Sequence, residues 1–223
     1  MRSGNFIVFM LLAGLLWGQT KSSTYNSNKE ADPKARALLV QVKENLKLDK
    51  GVELSFDFTY TAAESKPMAQ KGKVSIKNKS FRLELNDQEM TCDGKTLWTF
   101  IKKRNELQIQ DATEILNDPL SPYKMLQIHD SPDFTYIMSG SVKVNGQDRD
   151  VVEFKPLDTK AEFFKIRAEI DRSKKQYRKI SLFLKNGDQY VLTLMSQTAK
   201  ALADRYFTAD IKDYPGALLE DLR

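Results

Sequence analysis

The chain has 223 residues, of which 41% are hydrophobic and 29% are charged. This composition is typical of one globular domain and excludes a largely disordered chain. With 10 glycines and 7 prolines it is not a fibrous protein, and its mean hydropathy of -0.49 excludes a multi-span membrane protein. The 35 lysines and arginines exceed the 30 acidic residues, but both signs are interspersed along the chain, which disfavours binding to nucleic acid.

The N-terminus has the pattern of a secretory signal peptide. Arg2 precedes an apolar run over 6–17, and small and polar residues follow. The run is too short to span about 30 Å of hydrocarbon, although an uncleaved membrane anchor is the alternative. We therefore predict a signal peptide over 1–18, a polar linker over 19–30 and a single domain over 31–223.

Few side chains of the sequence are suited to catalysis. Cys92 and His129 are the only cysteine and the only histidine, which excludes an internal disulfide and the common spacings of zinc, redox and Ser-His-Asp sites. We expect Cys92 to be a small buried apolar side chain rather than a nucleophile. Carboxylates such as Asp57, Glu84 and Glu153 fall on the solvent phase of predicted strands. The sequence thus predicts no enzyme activity, no cofactor and no metal site.

The first predicted element is an amphipathic helix from Pro33 to about Leu48. Asp32 can accept hydrogen bonds from the free amides of the first turn, and proline is favoured at the first helical position. Apolar residues then recur at helical spacing and predict one buried stripe, formed by Ala35, Leu38, Leu39, Val42 and Leu46.

From Val52 onward the apolar period changes from 3.6 to 2 residues, the period of strands with one wet face. The alternation predicts about eleven strands, with separate strands over 134–138 and 142–144. Tight hairpins need dipeptides that tolerate a positive φ, and the chain provides them at Asp93-Gly94, Asn145-Gly146 and Asn186-Gly187. We therefore expect nearly all of the strand pairing to be antiparallel.

Two short helices are predicted to interrupt the strands. The run from Asp111 to Glu114 resembles a capping box, and Ser121-Pro122 begins a second helical piece. Together the elements predict a mainly β, α+β fold. In this fold a strongly curved antiparallel sheet is covered by helices on its apolar concave face.

Large apolar residues are more numerous than a plain sandwich core requires, with 12 Phe, 8 Tyr, 2 Trp and 7 Met. A packed core remains the alternative explanation for each of them. Met68 differs because it follows Pro67 in a polar loop, where a flexible apolar side chain is more often a contact point.

One hairpin and the C-terminus resemble a known family. The sequence DGKTLW over 93–98 is similar to a hairpin of the LolA-type periplasmic lipoprotein carriers. Phe207 and Asp210, then YPG over 214–216 and DLR over 221–223, are similar to the end of those proteins. The hairpin motif is the specific match, and the other matches gain weight from their order, which agrees over essentially the whole chain after the signal peptide.

The resemblance implies an incomplete antiparallel β-barrel with a helical lid around an apolar cavity. Such carriers take acylated lipoproteins from an inner-membrane LolCDE-type complex and deliver them through the periplasm to the outer membrane. It therefore implies a periplasmic, monomeric protein without a cofactor, whose partners are acylated lipoproteins, the releasing complex and an outer-membrane acceptor. The alternatives are an RseB-like envelope sensor of lipid or peptide and a related carrier for another lipid.

The resemblance also assigns positions to the acyl-chain site and the lid latch. Well-known family members tie the sheet to the lid through an arginine, and the corresponding residue here is Asn78, with Lys77 and Lys79 as candidate substitutes. The acyl-chain positions comprise, from the sheet, Leu54, Phe56, Phe58, Leu83, Leu85, Met90, Trp98, Phe100, Phe164 and Ile166, and, from the lid, Tyr123, Met125 and Leu126.

Overall fold

The computed structural model describes residues 31–63, 65–118 and 121–223. The predicted signal peptide and linker, over 1–18 and 19–30, lie outside these residues. Within the described ranges, no helix combines the length and the apolar character needed to cross a membrane.

One sheet contains all twelve strands of the described chain. The strands are β1 (Val52–Thr61), β2 (Met68–Lys77), β3 (Ser80–Leu85), β4 (Gln88–Cys92), β5 (Thr96–Ile101), β6 (Glu106–Asp111), β7 (Phe134–Val144), β8 (Gln147–Pro156), β9 (Phe163–Asp171), β10 (Gln176–Leu184), β11 (Gln189–Ala199) and β12 (Leu218–Asp221). Their order is β12-β6-β5-β4-β3-β2-β1-β11-β10-β9-β8-β7. Neighbours are antiparallel except for β12 and β6, which are parallel. Because β7 and β12 are free edges, the sheet does not close, which confirms the predicted incomplete barrel.

The strands differ from the prediction at three places. β7 is one strand where two were predicted over 134–138 and 142–144, because Gly140 adopts a φ of +112° at a bulge and lets the strand continue. β4 and β12 were not predicted. β4 is short and buried at most of its positions, whereas β12 is exposed at all of them, so neither shows a clear alternation.

Three α-helices occur in the described ranges: α1 (Pro33–Leu46), α2 (Thr113–Asn117) and α3 (Pro122–Leu126). α1 begins as predicted, with the side chain of Asp32 accepting a hydrogen bond from the Lys34 amide at 2.8 Å. It ends before Leu48 because Lys47 adopts the left-handed conformation, with a φ of +49°. Its buried stripe is the predicted one: Ala35, Leu38, Leu39, Val42 and Leu46.

The insertion between β6 and β7 contains α2 and α3. Asp111 starts α2 by accepting a hydrogen bond from the Thr113 amide at 2.7 Å, in place of the predicted capping box with Glu114. α3 begins as predicted, since the hydroxyl of Ser121 accepts a hydrogen bond from the Lys124 amide at 3.2 Å. We call α2 and α3 the cover.

One face of the sheet, here the inner face, carries the main apolar core. α1 packs against β7 and β10, and α3 packs against β3. The core cluster takes side chains from β1 to β5 and from β7 to β11 together with both parts of the cover. Strands that lie far apart in the sheet order therefore share one core, so the inner face is the concave one.

Gly72 on β2 allows the side chains of β1 and β3 to pack closely on the inner face. It is paired with Phe56 on one side and with Leu85 on the other. A Cβ atom at Gly72 would overlap the Phe56 ring and would lie 2.8 Å from Cδ2 of Leu85. The Phe56 ring thus occupies the space that any other residue at position 72 would need.

The opposite, outer face is covered at β3 to β5 by residues 200–217, here the C-terminal segment. The ring centroids of Tyr214 and Phe100 lie 4.4 Å apart, and Phe207 is buried although it is not part of the main core. A cleft of about 730 Å³ remains between the segment and the sheet, with Arg82 among its lining residues. β3 to β5 are therefore covered on both faces.

Candidate functional site

Five half-buried apolar side chains lie on neighbouring strands of the inner face. We call them the apolar mouth: Phe58 on β1, Phe163 on β9, Leu184 on β10, and Tyr190 and Leu192 on β11. The strand pairing places Phe58 beside Leu192 and Leu184 beside Phe163. All five pack against the core and remain partly exposed. An apolar ligand that covers them would gain the free energy of removing this surface from water.

The rim of the mouth is fixed by a stack of rings and one carboxylate. Tyr190 stacks with Phe58 at 5.9 Å and with Tyr60 at 4.9 Å between centroids. The Tyr60 hydroxyl donates a hydrogen bond to Asp188 at 2.8 Å, and Asp188 also accepts one from the Ala63 amide at 3.1 Å. The bond to Asp188 raises the pKa of Tyr60 to about 12 and lowers the pKa of Asp188. The carboxylate thus holds two hairpins together at the rim.

Ten of the predicted acyl-chain positions belong to the inner face or its cover. Six are buried in the core: Leu54, Phe56, Leu85, Met90, Leu126 and Ile166. Four are half-buried at its surface: Phe58, Leu83, Tyr123 and Met125. The other four residues of the apolar mouth were not assigned to the site from the sequence. Tyr190 and Leu192 alternate in phase with the buried Leu194, which is the signal that could have included them.

Trp98 and Phe100 are placed on the outer face, contrary to the prediction. Trp98 is paired with Thr91, and Phe100 is paired with Glu89. The intervening Thr99 occupies the inner face beside Met90. Periodicity could not decide the phase of this strand, because the C-terminal segment also buries apolar side chains on the outer face.

Phe164 likewise lies away from the inner core, contrary to the prediction. It is 49% exposed, and its ring lies 6.2 Å from that of Phe183. A register shift between Phe183 and Leu184 brings Phe163 opposite Leu184, so Phe163 packs against the core instead. Two consecutive phenylalanines followed by a bulge leave the inward residue undetermined by the sequence.

The candidate latch residues make contacts that lead away from the cover. The Lys77 ammonium donates to the Leu202 carbonyl at 2.9 Å and to Asp204 at 2.8 Å, both in the C-terminal segment. Asn78 has a φ of +52° in the turn after β2, and its amide donates to the Leu48 carbonyl at 2.8 Å. Lys79 is exposed in the same turn.

The cover is joined to α1 by an ion pair that the sequence did not predict. The Lys43 ammonium lies 2.6 Å from a carboxylate oxygen of Asp130, just after α3. The neighbouring His129 is buried, and burial lowers its pKa. Tyr177 is also buried here, and its pKa is raised by burial first and by Asp130 second. We call the Lys43 and Asp130 pair the clasp.

Cys92 is buried in the inner core, as predicted. Burial raises the pKa of its thiol to about 11, although the Gly94 amide donates to the sulfur at 3.4 Å. The thiolate is the reactive form of cysteine, so this side chain acts as a small apolar core residue.

Met68 is accessible, as expected for a contact point. It is the first residue of β2 and is 51% exposed. Its pairing with Tyr60 places it next to the rim of the apolar mouth.

The sequence has no match among protein-family models or curated proteins. Among solved structures, an uncharacterized conserved protein from Thermus thermophilus has 12% identity and a TM-score of 0.56, covering 84% of this chain and 99% of that one. A LolA superfamily protein from Nitrosomonas europaea has 14% identity and a TM-score of 0.44, covering 79% and 98%. The MucA/MucB complex of Pseudomonas aeruginosa has 14% identity and a TM-score of 0.37, covering 79% and 62%.

These likenesses concern the fold. The chain is an open antiparallel half-barrel with a helical cover, and it shares this architecture with the Thermus thermophilus protein. At these identities a shared fold does not establish a shared ligand.

Proposed function

We propose that this protein is an exported periplasmic carrier that binds the acyl chains of lipoproteins on its inner face and delivers them to the outer membrane. The observation that supports this most directly is the apolar mouth, whose half-buried side chains continue into the main core. The resemblance of the DGKTLW hairpin and of the C-terminus to LolA-type carriers supplies the choice of cargo.

Transfer has to occur from membrane to protein to membrane. Each buried methylene is stabilised by about 0.8 kcal/mol relative to water, so several acyl chains together amount to tens of kcal/mol. Non-covalent affinities saturate at roughly 20 kcal/mol, and a carrier that bound so tightly could not release its cargo. A partly open, adaptable surface fits this requirement, and flexible methionines such as Met125 and Met138 border the core here.

Binding requires the cover to move. α3 packs against β3, whose core residue Leu85 is almost fully buried, so an acyl chain that reaches Leu85 has to replace contacts of the cover. These helices have five residues each, and helices of that length owe their stability to packing rather than to their own hydrogen bonds. Their displacement therefore costs little beyond the contacts that the ligand restores.

The partners follow from the same proposal. A LolCDE-type complex in the inner membrane supplies the acylated lipoprotein together with the energy for its release, and an outer-membrane acceptor receives it. The carrier itself makes and breaks no covalent bond and needs no cofactor. Apart from these partners it acts as a monomer.

A release assay tests the proposal. The purified protein is mixed with energised inner-membrane vesicles that contain LolCDE and a triacylated lipoprotein, and the soluble fraction is assayed for a stoichiometric complex. We expect a complex with the wild type, and its loss with Leu192→Glu, which places a charge in the apolar mouth. Phe164→Glu is the matched control, because Phe164 is an exposed apolar residue of the outer face.

Failure of release would redirect the assignment. If a known carrier takes up the lipoprotein in parallel and this protein does not, the lipoprotein role is wrong. Uptake of another lipid from the same vesicles would then favour the related carrier, and a ligand-dependent interaction with an envelope signalling protein would favour the RseB-like sensor.

A further inference from the structure

Two polar side chains, on β4 and β5, are buried on the inner face. Gln88 and Thr99 are 7% and 5% exposed. The Gln88 amide nitrogen and the Thr99 hydroxyl oxygen are both shielded from solvent and have no hydrogen-bond partner among the described residues. Buried polar groups are nearly always satisfied, because an unpaired one keeps its desolvation cost without compensation. Two such groups on one face call for a partner that the isolated chain does not supply.

Both groups lie next to residues predicted to bind acyl chains. Thr99 is paired directly with Met90, and Met90 is paired with Leu83. Gln88 precedes Met90 by two positions on β4, so its side chain projects from the same face of the sheet. An acyl chain that displaced α3 from β3, the strand beside Met90, would therefore lie close to both polar groups.

The surrounding charges define what can bind there. Gln108 is the other neighbour of Thr99 on this face, and its amide nitrogen donates to Glu106 at 2.7 Å and to Glu220 at 2.8 Å. That nitrogen is thus already engaged. Glu106 is also paired with Arg104 at 3.4 Å, and the Lys102 ammonium donates to the Leu85 carbonyl at 2.7 Å. The charged groups near the site are thus engaged within the chain, and the two donors that lack a partner, on Gln88 and Thr99, are neutral. A neutral hydrogen-bond acceptor fits such a pair of donors.

We propose that Gln88 and Thr99 donate hydrogen bonds to the ester or amide carbonyl oxygens of acyl chains bound on the inner face. The inference rests on the proposed function, since it concerns the same lipid. A carbonyl oxygen is the one strong acceptor of an acyl chain, and it would be as costly to bury unpaired as the two donors are. The pair thus fixes how deeply each chain enters and favours acyl lipids over their ether analogues.

The test compares two neutral lipids that differ in these carbonyls. Radiolabelled 1,2-dioleoylglycerol and its 1,2-dioleyl ether analogue are each added in trace amounts to phosphatidylcholine vesicles, and lipid carried by the protein is counted after the vesicles are sedimented. With two hydrogen bonds involved, we expect the wild type to take up the ester about tenfold more than the ether.

The variants remove the donors while keeping side-chain volume. Gln88→Leu combined with Thr99→Val should bring the ester-to-ether ratio close to one through loss of ester uptake, with ether uptake retained. Thr91→Val is the matched control. Its hydroxyl is also buried and unpartnered among the described residues, but its pairing with Arg82 and Trp98 places it on the outer face. It should leave the ratio at the wild-type value.

The outcomes distinguish the role of Gln88 and Thr99 from the proposed carrier function. Equal uptake of both lipids by the wild type would leave lipid carriage standing and overturn the role of Gln88 and Thr99. A control variant that lowers the ratio as far as the double variant would overturn it as well. If the wild type takes up neither lipid while accepting lipoprotein, the inference fails and the carrier role stands; if it takes up nothing at all, both fail.

Discussion

At the scale of single residues, the packing of the inner face depends on the absence of a Cβ atom at Gly72. This glycine lies between Phe56 and Leu85, and the Phe56 ring packs into the space that a Cβ atom would occupy. The φ of this glycine is not in the left-handed region, so its role is steric rather than conformational. A small residue in a strand often marks such a close approach.

Gly72→Ala should destabilise the protein by about 1–3 kcal/mol, because the added methyl group overlaps the Phe56 ring and forces it out of its position. Urea denaturation measures the change. Combining the substitution with Phe56→Leu should recover part of the loss by returning space. Additive losses in the double variant would contradict the steric explanation.

Asp171 should make stability sensitive to acid. Burial alone would raise its pKa, but hydrogen bonds from the Lys174 amide, the Ser173 hydroxyl and Arg178 lower it to about 2. A pKa below that of the unfolded chain means that this stabilisation is present above about pH 4 and is lost as the pH falls towards 2. Over that interval the wild type should lose about 2 kcal/mol more than Asp171→Asn. Parallel pH profiles of the two proteins in urea denaturation would refute this role.

At the scale of elements, the cover and the C-terminal segment are attached to opposite faces of the sheet. The cover consists of two five-residue helices, which contribute Ile115 and Leu126 to the main core and are joined to α1 by an exposed ion pair. The C-terminal segment buries Phe207 and Leu202 against the outer face, and Lys77 anchors it through two hydrogen bonds. We therefore expect the cover to unfold locally at a lower free energy than the C-terminal segment.

Breaking the clasp should loosen the cover and leave the fold intact. The Lys43 and Asp130 side chains are 48% and 44% exposed, so their coupling energy should be at most about 1 kcal/mol. In Lys43→Gln we expect faster amide hydrogen exchange over 121–126 and little change in the unfolding midpoint. Asp130→Asn should reproduce the effect, and a double-mutant cycle gives the coupling. A coupling above about 2 kcal/mol would show that the pair carries global stability.

Truncating Phe207, the buried phenylalanine of the C-terminal segment, should have a larger effect. Phe207 is 1% exposed, and truncating a buried phenylalanine costs about 3–5 kcal/mol. We expect Phe207→Ala to lower the free energy of unfolding by this amount in urea denaturation. Leu219→Ala serves as the comparison, because Leu219 is 46% exposed on β12 and should change stability by less than about 0.5 kcal/mol. Similar losses of unfolding free energy in the two variants would mean that the packing of Phe207 against the outer face contributes little to stability.

The element boundaries show where sequence reasoning succeeds. The cap at Asp32, the α1 stripe and the start of α3 at Ser121 depend on local chemistry, and the structure reproduces them. The assignment of side chains to the inner or outer face fails in β5 and β9. Trp98 was misplaced because a segment distant in sequence covers the outer face of β5. Phe164 was misplaced because a bulge shifts the register of β9.

The candidate site divides in the same way. Phe58 was assigned to the site by the resemblance to LolA-type carriers, and its alternation with polar neighbours agrees with its half-buried position on the inner face. The polar pair Gln88 and Thr99 could not be predicted, since a polar residue on a strand is normally assigned to solvent. The clasp joins residues far apart in sequence, and no local pattern indicates such a contact.

At the scale of the whole molecule, ligand binding should be visible as a gain in stability. A ligand that binds only the folded state stabilises it by mass action, by about 2.7 kcal/mol at a hundred times the dissociation constant. We therefore expect the melting temperature to rise with the concentration of short-chain diacylglycerol. Leu192→Glu should abolish the rise and Phe164→Glu should keep it. A rise of equal size in both variants would place the lipid outside the apolar mouth.

An open sheet has two unpaired edges, and the residue that starts α1 also protects one of them. The Asp32 carboxylate accepts a hydrogen bond from the Met138 amide at 3.1 Å, and its own amide donates to the Tyr136 carbonyl at 3.0 Å, both on the edge strand β7. Occupied groups cannot pair with the edge of a second molecule. The residue that begins α1 therefore also blocks part of an edge at which open sheets of two molecules could otherwise pair and polymerise.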